Sequence, residues 1–182
     1  MYEVEVKVRA DHEAVRSRLD ESGADYLGRV TQVDTYYDAP HREFAETDEA
    51  LRIRVERSAD GEETVVTYKG PLLEAASKSR EEHETAVADP AAMRGVLDGL
   101  GFEPAATVEK ERERFGLEGY TVTLDAVDGL GTFVEVETET DDENIEHARE
   151  GAIAVLRDLD LDPADQIRTS YLGLLLSEDA DE

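Results

Sequence analysis

The chain has 182 residues, enough to bury one hydrophobic core, and a formal net charge of −27 from 46 acidic and 19 basic residues. That charge argues against a nucleic-acid partner, because a phosphate backbone repels an acidic surface. The absence of cysteine excludes disulfides and thiolate metal sites, and the four histidines are too scattered to indicate a zinc site. There is no apolar run of about 18 residues, so no membrane contact is expected.

We expect a cytoplasmic protein, since residues 1–10 form a charged alternating segment and not the apolar core of a signal peptide. The acidic excess is typical of proteins from salt-accumulating halophiles, in which molar salt screens self-repulsion. An ordinary acidic protein is the alternative. Only four lysines remain in such a chain, and we expect them to have functions. They are Lys7, Lys69, Lys78 and Lys110.

The first half of the chain is predicted to consist mainly of strands. Residues 2–9 alternate between apolar and charged side chains, as a half-buried strand does. A helix is predicted over about 11–22, with Asp11 as its N-cap and Gly23 after its end. Two further strands form a hairpin around Asp60-Gly61. The predicted strands of this half are 2–9, 26–38, 51–57 and 63–69.

The second half contains more strands and three predicted helical segments. One helix of about 90–100 begins at Pro90, another spans 142–158, and a last one follows Pro163. Residues 104–115 are ambiguous between a charged helix and a strand, and their position between turn residues favours a strand. The remaining strands are 77–87, 120–127 and 131–140. About eight hairpin-connected strands predict a mainly antiparallel sheet.

In each predicted strand, charged and polar residues occupy one face and apolar residues the other. The charged faces also contain all four lysines. Reading alternate positions gives Glu3, Glu5, Lys7 and Arg9; Gln32, Asp34 and Tyr36; Arg52, Arg54 and Glu56; Thr67 and Lys69; Lys78, Arg80, Glu82 and Glu84; Lys110, Arg112 and Arg114; Thr121, Thr123 and Asp125; Phe133, Glu135 and Glu137.

Two arrangements explain these faces. Antiparallel sheets commonly leave one face in water, and cross-strand ion pairs there contribute only about 0.2–1 kcal/mol each. In so acidic a chain, however, a merely solvated face should be mostly acidic, whereas these faces gather most of the bases. The alternative is a sheet closed into a barrel, with the charged face inside and the helices outside. We therefore predict an α+β fold built on an eight-stranded antiparallel barrel.

A tunnel that combines basic and acidic rows favours a metal–polyphosphate site. Arginine clamps phosphate oxygens in pairs, and lysine provides a compact positive charge. Carboxylates two residues apart on a strand lie on one face, where they could hold a hard divalent ion together with phosphate oxygens.

The order of these motifs resembles the CYTH superfamily, the triphosphate tunnel metalloenzymes, and the overall layout is most similar to the class IV adenylate cyclase branch. The resemblance covers essentially the whole chain, with residues 1–177 as one domain and 178–182 as an acidic tail. Its motifs are E-x-E-x-K at Glu3, Glu5 and Lys7; R-x-R at Arg52 and Arg54; T-x-K at Thr67 and Lys69; R-x-E-x-E at Arg80, Glu82 and Glu84; K-x-R at Lys110 and Arg112; Asp125; G-x-F-x-E-x-E from Gly131 to Glu137; and SY-x-x-LL at 170–175.

The resemblance implies an eight-stranded tunnel that processes triphosphates with Mg²⁺ or Mn²⁺. It implies metal binding by Glu3, Glu5, Glu135, Glu137 and Asp125. It implies phosphate binding by Lys7, Arg52, Arg54, Lys69, Lys110 and Arg112. Catalytic roles are expected for Lys7, Glu5 and Asp125. Arg80, Glu82 and Glu84 fit both substrate contact and structural pairing.

Several functions remain open at this point. A cyclase would convert ATP to cyclic AMP and pyrophosphate, whereas a tripolyphosphatase or thiamine triphosphatase would release orthophosphate. A non-catalytic polyphosphate- or nucleotide-binding module and a structural protein with solvated sheet faces are the other classes. Tyr36, Tyr37 and Phe133 could stack on a base or simply pack. The apolar stretch YLGLLL fits either a homodimer contact or the core.

Overall fold

The computed structural model describes residues 1–73 and 78–180, and every predicted strand and main helix is present in it. The strands are β1 Tyr2–Arg9, β2 Asp25–Asp38, β3 Ala50–Ser58, β4 Gly61–Lys69, β5 Lys78–Ala86, β6 Glu103–Leu117, β7 Tyr120–Val127 and β8 Gly131–Thr140. The helices are α1 His12–Glu21, α2 Phe44–Thr47, α3 Pro90–Gly99, α4 Ile145–Asp158 and α5 Tyr171–Ala180. The ambiguous segment 104–115 is the strand β6.

The eight strands form one closed barrel in the order β1-β5-β4-β3-β2-β6-β7-β8, and each neighbouring pair is antiparallel. The predicted fold is confirmed. Closure comes from β1, which pairs with β5 on one side and with β8 on the other. Because β1 joins the first and last parts of the sheet, its charged face lies against charged faces from both halves of the chain.

Helices α1 and α3 begin and end within one residue of the predicted bounds, whereas α4 begins at Ile145, three residues late, and the helix predicted from Pro163 begins only at Tyr171. The carboxylate of Asp11 accepts hydrogen bonds from the backbone of Glu13 and Ala14 at the start of α1. Gly23 follows that helix with a φ of 72°, a conformation that glycine adopts without strain. Asp89 caps α3, whose first residue is Pro90. These local signals fix the ends of the helices and hence the lengths of the connections around the barrel.

The main hydrophobic core lies outside the barrel. Alternate apolar residues of β1, β7 and β8 pack against α1 and α4, and Val6, Val134 and Leu156 are almost fully buried there. Since the apolar face of these strands is covered by helices, the opposite face points into the barrel. The usual arrangement of a small barrel, with an apolar interior, is therefore reversed.

One end of the barrel is closed by the C-terminal segment. The backbone N–H of Ile167 donates to the carbonyl of Lys7 at 2.7 Å, which ties this segment to β1. Helix α5 then packs its apolar residues against Phe133 and Leu130, and Tyr171 enters the barrel. The helix runs through Ala180, so the first part of the predicted tail is helical, and residues 181–182 lie outside the described chain. No helix of the described residues is long and apolar enough to cross a membrane.

Candidate active site

The barrel encloses a cavity of about 560 Å³ whose walls are the charged rows of the strands. Every site residue predicted from the sequence lines this cavity except Asp125, which lies behind it. Arg54, which would have faced solvent if the sheet were open, is 7% exposed. The lining residues from that prediction are Glu3, Glu5, Lys7, Arg52, Arg54, Lys69, Lys110, Arg112, Glu135 and Glu137.

Three carboxylates meet at the junction of β1 and β8. Oxygen atoms of Glu3, Glu5 and Glu137 all lie within 4.8 Å of one another. Glu5 and Glu137 are directly opposite in the strand register. Burial raises the pKa of Glu137 to about 7, and the negative charges of Glu3 and Glu135 act in the same direction. A divalent cation would relieve this repulsion.

The other two predicted metal ligands are engaged with an arginine. Arg112 donates two hydrogen bonds to Asp125, at 2.7 and 2.6 Å, and a third to Glu135 at 2.6 Å. All three side chains are buried. Burial would lower the pKa of Arg112, but these carboxylates raise it well above its usual value. Asp125 and Glu135 therefore lie outside the group of three carboxylates and hold Arg112 in position.

A second buried aspartate holds a second arginine. Asp34 accepts hydrogen bonds from Nε and Nη2 of Arg54 at 2.6 and 2.7 Å. Burial would raise the pKa of Asp34, but the two arginines Arg54 and Arg52 lower it well below its usual range. Nη1 of Arg52 lies 3.8 Å from Asp34. Arg52 therefore lies farther from Asp34 than Arg54 does, and Arg52 also lines the cavity.

Lys69 joins the carboxylate side of the cavity to β5. Its ammonium contacts Glu3 and lies 3.1 Å from Glu82. Burial alone would raise the pKa of Glu3, but Lys69 lowers it to about 2. Burial likewise raises the pKa of Glu82, with Lys69 opposing it. Glu82 therefore pairs with Lys69, a predicted phosphate-binding residue, within the wall of the barrel.

The R-x-E-x-E motif of β5 makes contacts that tie this strand to neighbouring segments. Arg80 donates to the carbonyl of Asp48 at 2.8 Å and contacts its carboxylate at 3.3 Å, so it fixes the turn between α2 and β3. Thr67 donates to Glu84 at 2.7 Å across the paired strands β4 and β5. The three residues of the motif, Arg80, Glu82 and Glu84, nevertheless all line the cavity.

Two lysines share the aromatic ring that closes the cavity. Nζ of Lys7 lies 4.2 Å and Nζ of Lys110 lies 4.9 Å from the ring centroid of Tyr171. The hydroxyl of Tyr171 donates to Asp125 at 2.8 Å. Burial lowers the pKa of Lys110 to about 7, and the neighbouring charge of Arg112 adds to this effect. A bound anion would raise this pKa again.

The sequence-based site prediction missed several residues. Asp34 stood in the polar row of β2, but its pairing with Arg54 depends on strand register. Glu56 accepts two hydrogen bonds from Arg114 and one from Gln32, and these three residues form another, partly buried network. Tyr171 lies on a helix, so strand alternation gives no signal for it. Only the resemblance at SY-x-x-LL pointed to that segment.

Comparison with known proteins identifies the family. The model of the CYTH domain matches residues 1–171. The chain belongs to the CYTH domain family. A protein of Methanocaldococcus jannaschii whose name marks it as a candidate adenylate cyclase is 39% identical over 176 residues, which are 96% of this chain and 98% of that one.

Two solved structures show how far the CYTH fold is shared. A protein from Pyrococcus horikoshii is 38% identical with a TM-score of 0.90, covering 97% of this chain and 99% of that chain. A candidate adenylyl cyclase from Hippeastrum, described as having a dominant triphosphatase activity, is 21% identical with a TM-score of 0.65, covering 97% and 95%. At that identity the Hippeastrum structure supports the fold alone. The barrel of this chain is the tunnel of the CYTH fold.

Proposed function

We propose that this CYTH protein is a divalent-metal-dependent enzyme that acts on a nucleoside or other organic triphosphate bound in the barrel. The observation that carries the proposal is the division of one cavity into a group of three carboxylates and a surrounding set of lysines and arginines. A metal ion would neutralise the carboxylates, and a polyanion would neutralise the lysines and arginines.

The metal would be held by Glu3, Glu5 and Glu137. Their oxygens are hard ligands, which suits Mg²⁺ or Mn²⁺, and their spacing allows them to converge on one ion. A bound ion would act as a Lewis acid on phosphate oxygens. Asp125 and Glu135, also predicted as ligands, would support the site through Arg112, which they orient.

The phosphates would be bound by the cations that line the cavity. Three cations of the lining stand back from the carboxylates they face. Arg52 lies 3.8 Å from Asp34, Lys7 3.9 Å from Glu135 and Lys110 4.0 Å from Asp125, so phosphate oxygens could approach their donors. Arg54 and Arg112 are rigidly held by aspartates, and they would provide fixed positive charge at defined points. In phosphoryl transfer such positioning and charge neutralisation supply most of the catalysis.

The reaction depends on which phosphorus faces the nucleophile. Attack by a ribose 3′-hydroxyl on the α-phosphorus of ATP would give cyclic AMP and pyrophosphate, whereas attack by water on the γ-phosphorus would release orthophosphate. The name of the Methanocaldococcus relative favours the cyclase as the first candidate. Hydrolysis by a triphosphatase is the second candidate, because the same cavity would hold a triphosphate whichever phosphorus is attacked. Either reaction would need a group that accepts the proton of the attacking hydroxyl or water. Two of the expected catalytic residues, Lys7 and Glu5, line the cavity.

A product assay tests the proposal. Purified protein is incubated in high KCl with Mg²⁺ or Mn²⁺ and, in separate reactions, with ATP, thiamine triphosphate or tripolyphosphate. Cyclic AMP with pyrophosphate would identify a cyclase, and orthophosphate a triphosphatase. Tight binding of all three compounds without turnover would instead identify a non-catalytic binding module and contradict the enzymatic proposal.

A matched pair of variants tests the metal site. Glu5→Gln removes one charge from the carboxylate group and should abolish metal-dependent turnover. Glu139→Gln makes the same chemical change on the lining of the same cavity, outside that group, and should leave turnover within about threefold of the wild type. Equal effects of the two changes would contradict the metal assignment.

A further inference from the structure

The closed end of the cavity contains an aromatic side chain that joins three charged residues from different strands. Tyr171 is 6% exposed and is the first residue of α5. Its ring lies under the ammonium groups of Lys7 on β1 and Lys110 on β6, and its hydroxyl donates to Asp125 on β7. Strands β1 and β6 are not neighbours in the barrel, because β7 and β8 lie between them.

The position of Tyr171 is fixed from outside the cavity. Ser170 precedes the helix, and its hydroxyl accepts a hydrogen bond from the backbone of Gly173, as an N-cap does. A Cβ at Gly173 would lie 2.7 Å from Thr169, so this turn requires glycine for its close packing. On the inner side, Phe133 meets the ring at an angle of 62° with centroids 5.0 Å apart. The ring therefore has one orientation.

The ring has a physical effect on the two lysines. Both ammonium groups are buried and carry the same charge when protonated, so they repel each other and lack water. The negative face of an aromatic ring attracts such cations over these distances. The hydroxyl bond to Asp125, which Arg112 already holds, prevents the ring from rotating away. Removing the ring would let both lysines move toward carboxylates, with Lys7 already 3.9 Å from Glu135.

We propose that Tyr171 is a positioning residue that holds Lys7 and Lys110 at the closed end of the tunnel, ready for one phosphate group of the substrate. This inference rests on the proposed function, because it assigns the lysines to phosphate. Tyr171 itself does not react. Its ring sets where the two ammonium groups lie, and its hydroxyl sets the angle of the ring.

The placement of the lysines can be measured on the wild-type protein without substrate. The chain has four lysines, so selective ¹³C labelling of lysine gives few ε-methylene signals. The ring current of Tyr171 should shift those of Lys7 and Lys110 upfield of their unfolded values. Lys69, which contacts Glu3 and Glu82, serves as the reference that Tyr171 does not shift. Signals of Lys7 and Lys110 at unfolded values would overturn the inference.

Variants then test the consequence for phosphate binding. Tyr171→Leu removes the ring, and we expect it to raise KM, and the Kd for Mg²⁺–tripolyphosphate, by about tenfold. Tyr171→Phe keeps the ring and loses only the hydrogen bond to Asp125. Its KM and Kd should stay within about threefold of the wild-type values. Leu175→Ala is the control for packing, since Leu175 belongs to the same apolar cluster but does not line the cavity. It should lower thermal stability and leave KM unchanged.

The outcomes separate this inference from the proposed function. A wild-type protein that neither binds nor turns over any triphosphate contradicts the proposed function, while the lysine signals still report the geometry. A wild-type protein that is active, with Tyr171→Leu folded and unchanged in KM and Kd, contradicts the positioning role alone. An increase in KM for Leu175→Ala equal to that for Tyr171→Leu would also overturn it, since packing would then explain both.

Discussion

The two sides of the tunnel use the same residue types in opposite ways. On the side of β2, β3, β6 and β7, each of two buried arginines has its own aspartate, in the pairs Arg54–Asp34 and Arg112–Asp125. At the junction of β1 and β8, three carboxylates lie together, with Lys69 against Glu3 and Arg112 at 4.0 Å from Glu137. We call these the paired side and the carboxylate side. The arginine–aspartate pairs stabilise the fold by themselves, whereas three carboxylates close together indicate a site for a cation.

The largest effect is expected on the paired side. Asp34→Ala leaves the buried charge of Arg54 without its partner, which should lower the free energy of unfolding by about 3–5 kcal/mol. Denaturant unfolding at fixed high salt measures it. Asp38→Ala is the control, because Asp38 ends the same strand and is exposed. A loss below about 1 kcal/mol for Asp34→Ala would show that this pair does not support the fold.

The carboxylate side should respond in the opposite sense. Glu137→Gln removes a repelling charge, so without metal we expect the free energy of unfolding to rise or to stay within about 0.5 kcal/mol of the wild type. The affinity for Mn²⁺ should nevertheless fall at least about tenfold, as measured by titration calorimetry. A variant that is strongly destabilised and still binds Mn²⁺ would reverse the distinction between the two sides.

A third network, formed by Glu56, Arg114 and Gln32, extends the comparison to the pH dependence of stability. Burial would raise the pKa of Glu56, but Arg114 and Gln32 lower it to about 2. Because this pKa is below its unfolded value, Glu56 stabilises the fold above pH 4.5, and that contribution is lost as the pH falls toward 2.

Substitution of Glu56 should therefore change the acid limb of the stability curve. We expect Glu56→Gln to cost about 1–2 kcal/mol at pH 7, after allowance for solvent screening, and almost nothing near pH 2. Unfolding measured from pH 2 to 7 reports the difference. A difference between wild type and variant that is independent of pH would contradict the pairing.

The smallest effect concerns Lys110, which faces the cavity from the paired side. Burial lowers its pKa to about 7, and a bound polyanion should raise this pKa. Above pH 7 binding should therefore take up a proton, and the affinity for tripolyphosphate should fall a few-fold more between pH 7 and 9 than in Lys110→Gln. Calorimetry in buffers of different ionisation enthalpy measures the uptake. Equal proton uptake by both proteins would refute this role.

Some of these pairings follow from local sequence. Strands β6 and β7 form a tight hairpin in which Leu117 pairs with Tyr120, and counting back along it sets Arg112 opposite Asp125. The pair was therefore within reach of the sequence, although Asp125 was predicted as a metal ligand. In contrast, β2 and β3 are separated by the longer segment containing α2, so nothing local sets Asp34 against Arg54.

The sequence by itself determined which residues face the tunnel. A strand exposes alternate residues to opposite faces, so the rows containing Glu3, Lys7, Arg52 and Lys110 could be read directly and the closed barrel inferred from them. Only the tertiary structure decided how the charges are shared. Closure between β1 and β8 brings Glu137 to Glu3 and Glu5, and the return of α5 places Tyr171 beneath two lysines. These contacts join residues that are distant in the sequence, and no local periodicity encodes which of them meet.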